Sequence, residues 1–167
     1  MTALIITAEL GGEDFAWLDG QRRAYFPPER NQLAAHLTMF HALPPSLEHE
    51  ARRELARHSA QSSPRATVAG LMNLGSGAAY RIVSDDLEGI RRDLADHFHG
   101  ALTAQDSQGW RPHVTIMNKA EPRAAKALLL QLERDFRPRP LTIRGLGLHR
   151  YLGGPWEALG SWSFRGR

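Results

Sequence analysis

The chain has 167 residues, 42% of them hydrophobic, and a formal net charge of +3. That length and apolar content suit one sizeable core, so a single domain over residues 1–167 is expected. The absence of cysteine excludes disulfides, thiol nucleophiles and Cys-based metal centres, and no apolar run reaches the roughly 18 residues needed to span a bilayer.

Nineteen of the 21 basic residues are Arg, a residue that favours bidentate phosphate contacts, although a general codon bias toward Arg explains the same count. The N-terminal MTALIITAEL lacks a basic leader and a small-residue cleavage site. A monomeric, cytoplasmic protein that does not enter a membrane is expected.

Residues 2 to 9 read as a strand closed by Gly11-Gly12, and Glu13 to Tyr25 as a helix stopped by Pro27-Pro28. A strand over Leu33 to Phe40 follows. After Pro44-Pro45, Ser46 is a plausible N-cap for a helix carrying Leu47, Ala51, Leu55 and His58. Ala66 to Leu71 and Ala78 to Val83 form two strands around Gly75-Ser76-Gly77. Ser84 or Asp85 then caps a helix with the stripe Leu87, Ile90, Leu94 and Phe98, ended by Gly100. A polar stretch through Gly109 leads to a strand over His113 to Asn118, a helix over Pro122 to Phe136, and strands over Leu141 to Tyr151 and Ser161 to Phe164. Period and spacing alone give an α+β order.

Two of these strands carry the same pattern: His36-Leu37-Thr38-Met39 and His113-Val114-Thr115-Ile116. Alternation puts each His and Thr on one face while the apolar residues pack behind. With 8 His and 7 Thr in the chain, a His-x-Thr is expected by chance about 0.3 times, and one with apolar residues at both x positions about 0.06 times. One copy alone reads equally well as a satisfied strand histidine; the pair carries the inference. Two imidazoles can take and give protons, and two hydroxyls can donate to phosphoryl oxygens.

The doubled H-x-T-x resembles the signature of the 2H phosphoesterase superfamily, which includes the bacterial 2'-5' RNA ligase-like RNA 2',3'-cyclic phosphodiesterases. NQLAAHLTMF resembles the first family motif, and RPHVTI followed by Lys119 resembles the second. The resemblance implies two pseudo-symmetric lobes of antiparallel sheet backed by helices around a central cleft. It also implies a phosphoric diester hydrolase that opens a 2',3'-cyclic phosphate at an RNA end or on a small nucleotide, with reversible 2'-5' RNA ligation as a related activity.

In that reading His36 and His113 are catalytic, and Thr38 and Thr115 bind phosphate. Symmetry leaves the acid and base interchangeable; in the water-opening direction His113 is taken as the base and His36 as the acid. No metal or cofactor is required. Phe40, which shares the parity of Thr38, is a candidate for base stacking, although core packing suits it as well. Lys119 is a candidate phosphate contact, and Arg150 and Tyr151 are candidates to line the cleft. His97 and His99 lack the ligands to complete a metal site, His41, His49, His58 and His149 read as surface or structural, and Gly70 to Gly77 lacks the ending of a phosphate loop. The competing reading is a non-catalytic module that holds a nucleotide or RNA in the same cleft. Basic residues run no longer than pairs such as Arg22-Arg23, which favours small or short substrates over long RNA.

Overall fold

Strict alternation in the first strand, β1 (Leu4–Leu10), sorts Leu4, Ile6, Ala8 and Leu10 into the core and Ile5, Thr7 and Glu9 onto the opposite face. The structure, a computed structural model, describes residues 2–166. The other strands are β2 (Leu37–Leu43), β3 (Arg65–Asn73), β4 (Ala78–Val83), β5 (His113–Met117), β6 (Arg139–Tyr151) and β7 (Trp156–Ser163). The helices are α1 (Gly12–Tyr25), α2 (Glu48–His58), α3 (Asp85–His97), the single turn α4 (Ala104–Ser107) and α5 (Pro122–Asp135).

All pairings are antiparallel, and they run β1–β2–β5–β4–β3–β6 and back to β1, with β7 added beside β6. The length of β6 makes this closure possible. Its residues 139–142 pair with β3, whereas residues 143–150 pair with β1 and residues 145–151 with β7. The weakest join is between the motif strands: among the described residues, Leu37↔Val114 is the one register pair between β2 and β5. The sheet therefore divides into a lobe of β1, β2, β7 and the end of β6, and a lobe of β3, β4 and β5. The implied α+β fold of two antiparallel lobes backed by helices is what the chain adopts.

Local chemistry sets the helix bounds. Ser84 caps α3: its Oγ accepts from Leu87 N–H at 3.0 Å and donates to the Arg65 carbonyl at 2.6 Å. Pro122 occupies the first turn of α5, where its missing N–H costs nothing. Helix α1 has Glu13 and Asp14 in its first turn and Arg22 and Arg23 in its last, complementing the helix dipole.

Several expected bounds are corrected. The first motif strand starts at Leu37 rather than Leu33, because the preceding segment is held to α1 by Ala35 N–H donating to Asp19 at 2.9 Å. Ser46 does not cap a helix; a 3₁₀ turn over Pro45–Leu47 leads into α2 without a side-chain cap. Within the polar stretch before Gly109, Thr103 caps α4, accepting from Asp106 N–H at 3.2 Å. The last strand begins at Trp156, five residues earlier than expected.

Candidate active site

Leu37 and Val114, the central x residues of the two motifs, are fully buried. Antiparallel pairing about them places His36 across from Thr115 and Thr38 across from His113. The four polar residues thus occupy the corners of a rectangle, with the histidines on one diagonal and the threonines on the other. In a regular ladder such a diagonal spans roughly 7–8 Å. All four side chains are half-buried, as alternation requires.

Both imidazoles are oriented in the same way. His36 Nδ1 lies 2.8 Å from the Ala34 carbonyl, and His113 Nδ1 lies 2.7 Å from the Arg111 carbonyl. A carbonyl only accepts, so each Nδ1 is the protonated nitrogen and each Nε2 is left to exchange a proton with a ligand. Burial pushes the His36 imidazole down to about 4, opposed by the Ala34 carbonyl and reinforced by Arg22, His149 and His113. The influence of His113 on His36 puts the two rings in one electrostatic environment.

Beyond the Leu37–Val114 pair the strands part, and side chains from the helices and loops satisfy the freed backbone. Trp110 Nε1 donates to the Thr38 carbonyl at 3.0 Å and Arg91 Nε to the Met39 carbonyl at 2.8 Å. The Asp106 carboxylate accepts from the N–H groups of His41 and Ala42 at 2.9–3.0 Å. On the other strand, Arg22 Nη1 donates to the Thr115 carbonyl at 3.2 Å. The gap is therefore built into the fold, and these backbone groups along it keep hydrogen-bond partners.

A cavity of about 280 Å³ beside the pair is lined by His36, Thr115, Arg22, Arg30, Lys119, Tyr151 and Trp156, among others. Lys119 and Tyr151 thus reach the site. Lys119 does so from a left-handed backbone conformation (φ 56°), which costs a non-glycine residue roughly 1–2 kcal/mol. A second cavity, of about 450 Å³, adjoins the first through His36 and Trp156 and extends over Thr7, Glu9, Phe15, Arg144 and His149.

Two expected residues are elsewhere. Phe40 is fully buried in the core with the Arg91 guanidinium 4.0 Å above its ring. The cause is a β-bulge: Thr7 pairs with Thr38 but Ile6 pairs with Phe40, so Met39 is the extra residue and Phe40 turns to the face opposite Thr38. Arg150 donates to Glu157 at 2.6 Å and to Glu48 at 2.8 Å, away from the cleft. It has the wrong parity: its neighbour His149 is the residue on the cleft face, with its Nε2 3.0 Å from the Thr7 hydroxyl.

Sequence reasoning missed His149, Trp156 and Arg22. The Trp156 ring packs 4.6 Å from His36 and 5.3 Å from His149. His149 carried a usable signal, since it shares parity with Tyr151 on β6, whereas Arg22 in a polar helix carried none. Among the described residues no group of three or more His, Cys, Asp or Glu side chains is placed to hold a metal ion, and no helix is long and apolar enough to cross a membrane.

The fold is shared with solved structures. The TT0787 protein of Thermus thermophilus superposes with a TM-score of 0.66 at 18% identity, covering 99% of each chain. LigT of E. coli in apo form gives 0.60 at 16% identity over 98% of each chain, and its complex with 3'-AMP gives 0.58 at 16% identity over 98% of each chain. LigT structures with ATP and with NADP+ have the same fold. No curated protein matches the sequence. Residues 12–155 match the 2'-5' RNA ligase superfamily, and with both H-x-T-x strands inside that span the chain belongs to this family of 2H phosphoesterases.

Proposed function

We propose that the protein is a metal-independent phosphodiesterase that hydrolyses 2',3'-cyclic phosphates on nucleotides or RNA ends, with the reverse reaction giving 2'-5' ligation. In this reading it works as one bilobal, monomeric, cytoplasmic unit. The observation that carries it is the diagonal placement of two imidazoles whose Nδ1 atoms are both held by backbone carbonyls. Phosphorus centred on the Leu37–Val114 pair would have an Nε2 on each side, which is the arrangement in-line displacement needs. The nucleotide ligands of LigT support a substrate of that class.

One histidine takes a proton from water as its oxygen attacks phosphorus. The other gives a proton to the ribose oxygen as the ring P–O bond breaks. Thr38 and Thr115 donate to the two non-bridging oxygens, and Lys119 adds a positive charge beside them. The burial of His36 keeps it neutral at physiological pH, which supports His36 as the base and His113 as the acid in ring opening. This reverses the roles taken from sequence, where the two motifs are symmetric and nothing separates them.

The test is turnover of 2',3'-cyclic nucleotides by His36→Ala and His113→Ala. Each should lose 10²-fold to 10⁴-fold or more in kcat while keeping the wild-type melting temperature. A near-wild-type rate in either variant removes that histidine from the mechanism. Binding of 3'-AMP without turnover of any cyclic phosphate by the wild type identifies a binding module instead.

A further inference from the structure

The 450 Å³ cavity beyond Trp156 is not needed for the phosphate chemistry, yet it opens directly from His36. We propose that it is a nucleobase pocket selective for guanine, so that the preferred substrate is a guanosine 2',3'-cyclic phosphate, free or at an RNA end. The substrate class rests on the phosphodiesterase reading above; the base selectivity rests on the pocket itself.

Its size falls within the range of small-ligand sites. One wall is Trp156, whose indole packs against both His36 and His149, and Phe15 on α1 offers an exposed ring to the same space. Aromatic walls beside a catalytic group are how single-stranded bases are held.

The floor is polar and is kept open by glycine. A Cβ on Gly147 would lie 2.8 Å from the Thr7 hydroxyl, 3.1 Å from His149 Nε2 and 3.3 Å from Glu9 Oε2. Three polar groups thus converge where any larger residue would displace them. The other Glu9 oxygen accepts from Ser161, and Oε2 has no hydrogen-bond partner among the described residues. Arg144 lines the same cavity and forms no ion pair, with Glu9 or with any other described residue.

A carboxylate oxygen and a guanidinium that both lack a partner, sharing one pocket, call for a ligand with paired N–H donors next to acceptors. Guanine has that edge. Its N1–H and N2–H₂ suit a carboxylate, and O6 with N7 suits an arginine fork. Adenine would set its N1 lone pair against Glu9, and the negative charge disfavours a phosphate there.

The two lobes also differ at equivalent positions. Continuing the Ala8↔Leu37 pairing by one residue sets Glu9 opposite His36, whereas Arg81 is the register partner of His113. The acidic side suits a base and the basic side the next phosphate of an RNA strand.

The test is calorimetric titration with the four nucleoside 3'-monophosphates, alongside turnover of the four 2',3'-cyclic nucleotides. Guanosine 3'-monophosphate should bind at least ten-fold more tightly than each of the others. Glu9→Gln, nearly isosteric, and Arg144→Ala, at an exposed position, should each cut that advantage below three-fold. Equal affinities, a preference for another base, or a guanine preference that survives both substitutions would overturn the assignment. Selective, substitution-sensitive binding without hydrolysis would retain the guanine pocket and remove the phosphodiesterase reading. Hydrolysis of all four nucleotides with equal kcat/KM and equal binding would do the reverse.

Discussion

Arg22 Nη1 donates to the Thr115 carbonyl at 3.2 Å and so ties a helix that precedes the first motif to the strand that carries the second. The same guanidinium donates through Nε to Asn31 at 2.8 Å and lies 4.3 Å over the Phe26 ring. Arg91 is its counterpart. It leaves the helix preceding the second motif, donates to the Met39 carbonyl of the first, and stacks on Phe40. Each lobe's helix therefore braces the other lobe's motif strand, and both arginines are buried. Burial is also what lowers the pKa of each guanidinium, partly offset by Asp19 for Arg22 and by Asp106 for Arg91.

Replacing Arg22 with Lys removes the planar fork that serves Asn31 and Thr115 together. Arg22→Lys is expected to cost about 1–3 kcal/mol in unfolding free energy and to lower kcat more than it raises KM, since the Thr115 strand loses its brace. Arg23→Lys is the control. Its side chain is 72% exposed and lies 3.6 Å from Asp19, so the change should stay within about 0.5 kcal/mol. Denaturant melts and steady-state kinetics on the two variants separate the expectations.

Asp106 is the third brace. Burial would raise its pKa, but the hydrogen bonds from His41 and Ala42 outweigh burial and hold it below the ordinary carboxylate value. A carboxylate so depressed stabilises the fold above its unfolded pKa, and that contribution is lost as pH falls through the lower folded value. Asp106→Asn should therefore destabilise the protein at neutral pH by about 1–3 kcal/mol and flatten the acid limb of its stability curve. A variant as stable as wild type at pH 7 would show that the β2 edge does not depend on this carboxylate.

The parts of the site legible in the sequence were those set by period-2 alternation. His36, Thr38, His113 and Thr115 stand where the pattern puts them, because Leu37, Met39, Val114 and Ile116 have a core to fill. Alternation failed for Phe40 because a bulge inserts one residue, and a bulge leaves no mark in a run as apolar as LTMF. For Arg150 the guide in the sequence is its place before the Gly153-Gly154-Pro155 turn, and for His149 the lack of a partner pattern, so alternation plays no part in either reading. Both are polar; parity with Tyr151 favours His149, and the register of β6 against β1 puts it on the cleft face. Arg22, Trp156 and Asp106 were invisible for another reason: their roles arise where the motif strands part, which no local pattern encodes.

His36 gives the clearest pH dependence. With its pKa lowered to about 4 by burial, it stays neutral until the solution is well below the normal imidazole range. As the base it must be deprotonated, so the acid limb of kcat/KM should fall near pH 4 to 5. An acid limb in the ordinary histidine range, with chemistry limiting, would return His36 to the acid role. Stability follows the same group. Between about 4 and 6.5 the unfolded chain binds a proton that the folded chain refuses, so stability rises with pH across that window and is lost on acidification. The effect is at most about 3 kcal/mol. His36→Gln should remove this part of the pH dependence.

The rectangle of motif residues makes a last, quantitative demand on the threonines. If Thr38 and Thr115 each donate to one non-bridging oxygen from opposite corners, neither is privileged, and the growing charge on phosphorus is shared between them. Thr38→Ala and Thr115→Ala should then lower kcat by similar factors, on the order of 10² each, with smaller changes in KM. Restoring the hydroxyl in Thr38→Ser or Thr115→Ser should recover most of the rate, because the donor returns and only the β-branch is lost. The double alanine variant should fall short of the product of the single effects, since both hydroxyls act on one phosphoryl group and do not contribute independently. A hundred-fold loss in one variant with none in the other would mean that the phosphate sits off the pseudo-two-fold axis, toward the lobe whose threonine matters.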